Sequence, residues 1–172
     1  MIGTPDQLIE PVPARREPGS VDAECGRVYL HPGQFTVAVA PCTITTILGS
    51  CVAVALFDPV ARIGGLNHFL LPRAPGKTNS LRFGDVAVPR LIDAMVECGA
   101  VQRRLQAKVI GGACVLDAYR DHPSHVGRQN VLAALQALFE ASVPVVMSDV
   151  EGNRGRRVVL HAHTGDLVVR VL

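Results

Sequence analysis

Tryptophan is absent from this chain of 172 residues, and aromatic side chains make up only 4% of it. Proteins that bind single-stranded nucleic acid stack the bases on aromatic rings, so this scarcity argues against that class. An excess of charge of one sign is also lacking, because 17 basic residues against 15 acidic ones leave a formal net charge of +2. That charge is too small to indicate the clustered basic face that nucleic acid binding requires.

Long hydrophobic runs are missing as well. No apolar stretch approaches the roughly 18 residues of a membrane helix, and the N-terminal segment has no apolar core of the signal-peptide kind. The five cysteines form no CxxC pair, and their odd number does not suit a secreted disulfide framework. The sequence therefore predicts reduced thiols in a cytoplasmic protein without membrane insertion.

Proline and glycine are concentrated at the N-terminus. Residues 1–20 contain four prolines and two glycines and show no apolar period. This composition is typical of segments that cannot bury enough apolar surface to order themselves. We therefore expect a disordered leader over 1–20 and a single domain over 21–172.

Hydrophobic periodicity in this domain predicts many strands and two main helices. The helices are expected over about 85–99 and 128–141, where apolar residues recur at helical spacing. The continuous apolar run 52–57 predicts a strand that is buried on both faces. Other strands are expected over 27–30, 35–39, 43–48, 62–71, 105–111, 143–147, 157–163 and 167–171. Because strands cluster before the first helix and at the C-terminus, this order favours an α+β fold with mixed or antiparallel sheets.

The segment that ends in Gly49, Ser50 and Cys51 carries the most chemical information. It delivers a thiol to the start of a buried strand, where nearby backbone N–H groups could stabilise an oxyanion. A thiol becomes nucleophilic through a lowered pKa or an adjacent base, and His68 on the next strand is a candidate base. Thr45 is a candidate for orienting the imidazole. The structural alternatives are a small buried cysteine, a core histidine and an ordinary strand threonine.

Other histidines offer a competing arrangement. His161 and His163 lie two residues apart and would share one face of a strand, where both could bind a metal ion. No acidic residue or cysteine at ligand spacing completes that set, so exposure near a hairpin turn is the alternative interpretation. Arg154, Arg156 and Arg157 are basic enough to contact an anionic surface. The alternative is a solvated charge run before a strand, which is favoured except for Asn153 and Arg154.

Several short motifs are spread along most of the chain. They are 30–33 (LHPG), 48–54 (LGSCVAV), 58 (D), 64–72 (GGLNHFLLP), 82–85 (RFGD), 111–113 (GGA), 127–130 (GRQN) and 152–154 (GNR). In combination they resemble the CheD family of chemoreceptor glutamine deamidases, and the resemblance covers roughly residues 27–171. Phe83 stands where a tyrosine is usual in that family, and the proline-rich leader lies outside the family pattern.

The resemblance implies a role for each matching residue. Cys51 would be the nucleophile, His68 the base and Thr45, six residues before the cysteine, the third member of the site. The implied fold is a layered α/β sandwich similar to bacterial toxin deamidases. The implied activity converts selected glutamines of methyl-accepting chemoreceptors to glutamate through a thioester, without a metal or organic cofactor.

The oxyanion candidates come from the residues themselves, whereas the partners are what the resemblance implies. Backbone N–H groups at Gly49 and Ser50 are candidates for the oxyanion site, and Asn67, Asn153 and Arg154 are candidates for substrate binding. Some members of the family bind the phosphatase CheC. A non-catalytic adaptor that docks chemoreceptors or CheC stays open as an alternative, because the motifs at 127–130 and 152–154 lie far along the chain from the thiol.

Overall fold

The computed structural model describes residues 20–22, 26–114, 122 and 124–172. In this part of the chain, ten strands and two α-helices are present. The strands are β1 (Ser20–Asp22), β2 (Arg27–Tyr29), β3 (Gln34–Ala38), β4 (Thr43–Leu48), β5 (Val52–Asp58), β6 (Ile63–His68), β7 (Gln106–Gly111), β8 (Val145–Val150), β9 (Arg156–His161) and β10 (Asp166–Val171). The helices are α1 (Gly84–Glu97) and α2 (Val126–Glu140), and a 3₁₀ turn spans Gln102–Arg104.

The elements form three layers. A six-stranded mixed sheet has the order β1-β3-β6-β5-β7-β8, and a four-stranded sheet has the order β10-β9-β4-β2. Helix α1 packs on β3, β5 and β6, whereas α2 packs on β5, β7 and β8. Both helices therefore cover one face of the six-stranded sheet, and the four-stranded sheet covers the other.

The continuous apolar run of β5 explains why this sheet lies in the middle. Val52, Val54 and Leu56 pack into a core beneath the helices. Ala53 and Ala55 point the other way, into a second core between the two sheets. Successive residues of a strand face opposite sides, so a strand without a polar face requires cover on both sides. The prediction of a doubly buried strand over 52–57 is confirmed.

The α+β class with mixed and antiparallel sheets is also confirmed, and the predicted helices and strands are present with shifted ends. β1 was not predicted; it begins at Ser20, inside the segment assigned to the leader, and pairs in parallel with β3. Residues 1–19 lie outside the described residues. Neither described helix is long and apolar enough to cross a membrane.

The prediction of five reduced thiols is wrong, because one of the described cysteines forms a disulfide. Cys42, which directly precedes β4, is disulfide-bonded. Cys51, Cys98 and Cys114 carry free thiols. Spacing along the chain gave no indication of this bond, because a disulfide depends on the distance between two residues in space.

Close contact between the sheets depends on Gly64 in β6. A Cβ atom at this position would lie 2.3 Å from the carbonyl oxygen of Ala162 and 2.7 Å from its Cα. These neighbours are backbone atoms, so the sheets would have to move apart to make room. By contrast, a Cβ atom at Gly76 would meet nothing within 4 Å.

We therefore predict that Gly64→Ala lowers the free energy of unfolding by about 1–3 kcal/mol, the usual cost of overpacking. Gly76→Ala should leave stability unchanged or slightly raised, since it only restricts the unfolded chain. Urea denaturation of both variants measures the difference. Equal stability of the two variants would contradict the close approach at Gly64.

Candidate active site

Several chain segments meet at one edge of the six-stranded sheet. Val52 at the start of β5 pairs with Phe69, just beyond β6, and with Gly111 at the end of β7. Gln34 at the start of β3 pairs with His68 at the end of β6. The ends of β3, β6, β5 and β7 therefore lie side by side. We call this end of the sheet, defined by these paired residues, the thiol edge.

Cys51 and His68 lie on neighbouring strand ends at this edge. The N–H and carbonyl groups of Val52 and Phe69 exchange hydrogen bonds of 3.1 and 3.0 Å, which sets an antiparallel register. Continuing that register by one residue puts Cys51 and His68 at diagonal positions on the same face. This face points towards the four-stranded sheet, because Cys51 packs against the core between the sheets. Cys51 is half-buried, whereas His68 is buried.

A chain of two hydrogen bonds orients the imidazole. The hydroxyl of Thr46, on β4, donates to the carbonyl oxygen of Leu30 at 2.8 Å. The same hydroxyl oxygen lies 2.8 Å from Nδ1 of His68. A hydroxyl has one proton, and that proton is used on Leu30, so Nδ1 must carry the hydrogen of the second bond. Nε2 of His68 is then the unprotonated nitrogen, and it is buried without a hydrogen-bond partner among the described residues.

The expectation that Thr45 orients the imidazole needs correction. Side chains alternate along β4, and the buried positions are Ile44, Thr46 and Leu48. Thr45 therefore points to the opposite face of its sheet, and the hydroxyl that contacts His68 belongs to Thr46.

Burial moves both reactive groups towards their neutral forms. It raises the pKa of the Cys51 thiol, an effect that the residue's own N–H group partly offsets by hydrogen bonding to the sulfur. Burial also lowers the pKa of His68 to about 4, with a further decrease from His31, while the Leu30 carbonyl acts in the opposite direction. At neutral pH this face of the sheet thus carries a thiol and a neutral imidazole at diagonal positions, without a hydrogen bond between them. A thiol in this state would need an adjacent base to become a nucleophile, since its pKa is raised and not lowered.

Backbone hydrogen bonds hold the segment around the thiol in place. The carbonyl of Cys51 accepts from the N–H of Gly112 at 2.8 Å, and the carbonyl of Gly49 accepts from Ala113 at 2.9 Å. Gly111 has φ +111°, and a Cβ atom there would lie 2.3 Å from the carbonyl oxygen of Cys51. Only glycine allows both this conformation and this approach.

Asn130 on α2 ties the two strand ends together, a role that sequence reasoning missed. Its side-chain nitrogen donates to the carbonyl of Ser50 at 3.0 Å and to that of Leu70 at 2.8 Å. One buried amide group thus links the residue before the thiol with the segment after His68. Asn130 belongs to the motif at 127–130, but nothing in that motif indicates what its side chain would contact.

Asn67 does not join the thiol. It is fully buried, and its side-chain oxygen accepts from the N–H of Val54 at 2.8 Å. Because Asn67 and His68 are consecutive strand residues, their side chains lie on opposite faces, and Asn67 faces the helices. The expectation that Asn67 binds substrate needs correction, since its oxygen is used between β5 and β6.

Asn153 and Arg154 lie on the exposed connection between β8 and β9. The carbonyl of Gly152 accepts from Cys114 at 2.8 Å, and the N–H of Glu151 donates to Gly111 at 2.8 Å. These bonds place the connection beside the backbone that holds Cys51, at the rim of the thiol edge. The side chain of Arg154 donates to the carbonyl of Leu172 at 2.8 Å.

The two histidines of the alternative metal site lie near the other end of β9. His161 ends the strand, while His163 follows it in the turn, so the expected shared strand face is wrong. In the part of the chain that the structure describes, no three histidine, cysteine or acidic side chains form a group that could hold a metal ion.

A thiol, a neutral imidazole with an unprotonated nitrogen and a firmly held backbone define a site suited to nucleophilic acyl transfer. Comparison with known proteins assigns the chain to a family. A family model described as CheD chemotactic sensory transduction matches residues 70–171. The chain belongs to the CheD family.

Individual relatives support the same assignment. The chain is 52% identical over 146 residues to the "probable chemoreceptor glutamine deamidase CheD 1" of Anaeromyxobacter dehalogenans, covering 85% of each chain. It is 38% identical over 145 residues to the "probable chemoreceptor glutamine deamidase CheD 2" of Geobacter sulfurreducens, covering 84% of this chain and 89% of that one. It is 41% identical over 144 residues to the corresponding Rhodospirillum rubrum protein, covering 84% and 81%.

The hydrogen bonds at His68 predict one tautomer. Long-range ¹H–¹⁵N spectra of ¹⁵N-histidine-labelled protein should show protonated Nδ1 and bare Nε2 from pH 8 down to about pH 5, with the ring becoming charged near the pKa of about 4. A His68→Gln variant assigns the signals. A bare Nδ1, or a titration midpoint near the ordinary value of about 6.5, would contradict the arrangement.

Proposed function

We propose that this protein is a cytoplasmic chemoreceptor glutamine deamidase that uses Cys51 as its nucleophile. The relatives are named for this activity, which supports the substrate class. The family model matches residues 70–171, a range that includes neither Cys51 nor His68, so that match does not bear on their roles. The observation that carries them is the orientation of His68 by Thr46 on the face that it shares with Cys51.

The first half of the reaction forms a thioester. Nε2 of His68 takes the thiol proton of Cys51 as the sulfur attacks the carboxamide carbon of a receptor glutamine. The resulting tetrahedral intermediate collapses when the C–N bond breaks, and the departing nitrogen takes the proton from His68 and leaves as ammonia. A neutral starting pair suits this step, because the imidazole must begin without a proton on Nε2.

The second half releases glutamate. His68 removes a proton from water, whose oxygen attacks the thioester carbon. The C–S bond then breaks, and the proton returns from His68 to the sulfur of Cys51. Atoms and charges balance over the cycle, with water as the only co-reactant.

The N–H group of Cys51 is the best candidate for stabilising the oxyanion. It lies within hydrogen-bond reach of its own sulfur, so it also lies next to the carbon that the sulfur attacks. Gly49 and Ser50, whose N–H groups are the expected oxyanion donors, contribute here through their carbonyl groups. Their carbonyl groups are held by Ala113 and Asn130, which positions the segment that presents Cys51.

The adaptor alternative has less support from the structure. Its evidence was the motif at 127–130 and the motif at 152–154, far along the chain from the thiol. Asn130 holds the thiol segment, and Gly127 packs against Gly112, where a Cβ atom would lie 2.4 Å from the Gly112 carbonyl oxygen. The buried residues of the first motif therefore serve the site itself. Binding of CheC, which the resemblance implies for some members, would be an addition to catalysis.

The nucleophile assignment predicts that Cys51→Ala abolishes deamidation. Mass spectrometry of a chemoreceptor fragment incubated with the protein measures the replacement of a glutamine NH₂ group by OH. Cys98→Ala is the matched control, because Cys98 is a free thiol that follows α1, away from the thiol edge. Unchanged conversion by Cys51→Ala would rule out the mechanism.

Two neighbouring threonines provide the sharpest test of the proton path. Thr46→Val removes the hydroxyl that orients His68 and should lower kcat by about tenfold to a hundredfold, part of what general base catalysis contributes. Thr45→Val makes the same chemical change on the opposite face of β4 and should leave kcat within about twofold. A larger loss of kcat with Thr45→Val than with Thr46→Val would indicate that Thr45, and not Thr46, orients His68.

A further inference from the structure

A polar cavity opens beside the thiol edge, next to the strand end that carries His68. Its volume is about 780 Å³, and its walls come from the start of β3, the segment 79–82 and helix α1. The polar side chains that line it are Gln34, Asn79, Ser80, Arg82 and Arg90. Two are positively charged, and no described residue that lines the cavity is acidic.

Backbone hydrogen bonds join the wall of this cavity to the segment around His68. The N–H of Gly33 donates to the carbonyl of His68 at 2.7 Å. The carbonyl of Arg82 accepts from both Leu70 and Leu71, at 2.9 and 3.0 Å. A group bound in the cavity would therefore have a fixed position relative to the imidazole.

Both guanidinium groups are available for a ligand. Arg82 is exposed. Arg90 contacts Asp93 at 3.5 Å on the surface of α1, with 48% and 60% of the two side chains exposed. An ion pair this exposed is weak and readily exchanged for another carboxylate. The cavity thus has the positive charge and the amide and hydroxyl donors that suit a carboxylate.

Strand geometry sets the distance from this cavity to the thiol. Cys51 precedes β5, Gln34 begins β3, and β6 lies between the two strands. Two interstrand spacings amount to about 10 Å. On an α-helix, side chains seven residues apart lie on one face and are separated by about 10.5 Å along the axis. A helical segment laid along the thiol edge could present one side chain to Cys51 and another to the cavity.

We propose that this cavity is a substrate subsite that binds an acidic side chain about two helical turns from the glutamine to be deamidated. The subsite rests on the proposed function and deepens it, because it selects among glutamines by the charge of their helical neighbours. The ligand is a carboxylate of the substrate protein, and the contact contributes to binding, not to the chemical step.

Synthetic helical peptides test this subsite. Each peptide contains one glutamine and, seven residues away, a glutamate, an alanine or a lysine. In one set this second residue precedes the glutamine, and in the other set it follows it. Fluorescence anisotropy with the Cys51→Ala variant measures binding without turnover, and wild-type protein gives kcat and KM. In the favoured direction, the glutamate peptide should bind about tenfold tighter than the lysine peptide, with the alanine peptide between them. The preference should weaken as salt is added.

Charge reversal identifies the residues responsible. In the Arg82→Glu, Arg90→Glu double variant, the lysine peptide should bind more tightly than the glutamate peptide. For wild-type and variant turnover, the change should appear mainly in KM. Arg103→Glu is the matched control, since Arg103 lies in the 3₁₀ turn that precedes β7, at the opposite end of the sheet. It should keep the wild-type order, and thermal unfolding should show all variants folded.

Two results would overturn the subsite: equal binding of all peptides to the Cys51→Ala variant, or an unchanged order in the double variant. A failure of the proposed function has a different signature. In that case the glutamate peptide would bind in the expected order, but wild-type protein would not deamidate it.

Discussion

The account depends on the single proton of the Thr46 hydroxyl. That proton is donated to the carbonyl of Leu30, so the hydroxyl oxygen can only accept from Nδ1 of His68. This leaves Nε2 of the imidazole bare, which is the form that a general base needs. The four-stranded sheet therefore does more than cover a hydrophobic face, because its strand β4 determines the tautomer of a histidine on the six-stranded sheet.

Burial has opposite effects on the pKa values of the two reactive groups, but both effects favour a neutral pair. The thiol holds its proton more firmly and the imidazole binds one less readily than in water. Such a site carries no preformed ion pair. In the proposed reaction, proton transfer would accompany attack on the substrate, because neither group starts out charged.

The sequence predicted the fold class, the doubly buried strand and the two chain segments that carry Cys51 and His68. It did not distinguish Thr45 from Thr46, although the alternation of Ile44, Thr46 and Leu48 indicates which threonine faces inwards. The same alternation of side chains along β6 puts Asn67 and His68 on opposite faces of their sheet. Asn130 could not be assigned from sequence, because its contacts depend on how α2 packs on the sheet. The disulfide of Cys42 depends in the same way on distances in space.

The pH dependence of kcat/KM tests the central claim most directly, because this ratio reports the essential groups of the free enzyme. With the pKa of His68 lowered to about 4, kcat/KM for a glutamine peptide should change less than about twofold between pH 7.5 and pH 5.5. A base with the ordinary pKa of about 6.5 would instead cause a fall of about tenfold over this range. That fall would contradict a buried, neutral His68 held by Thr46.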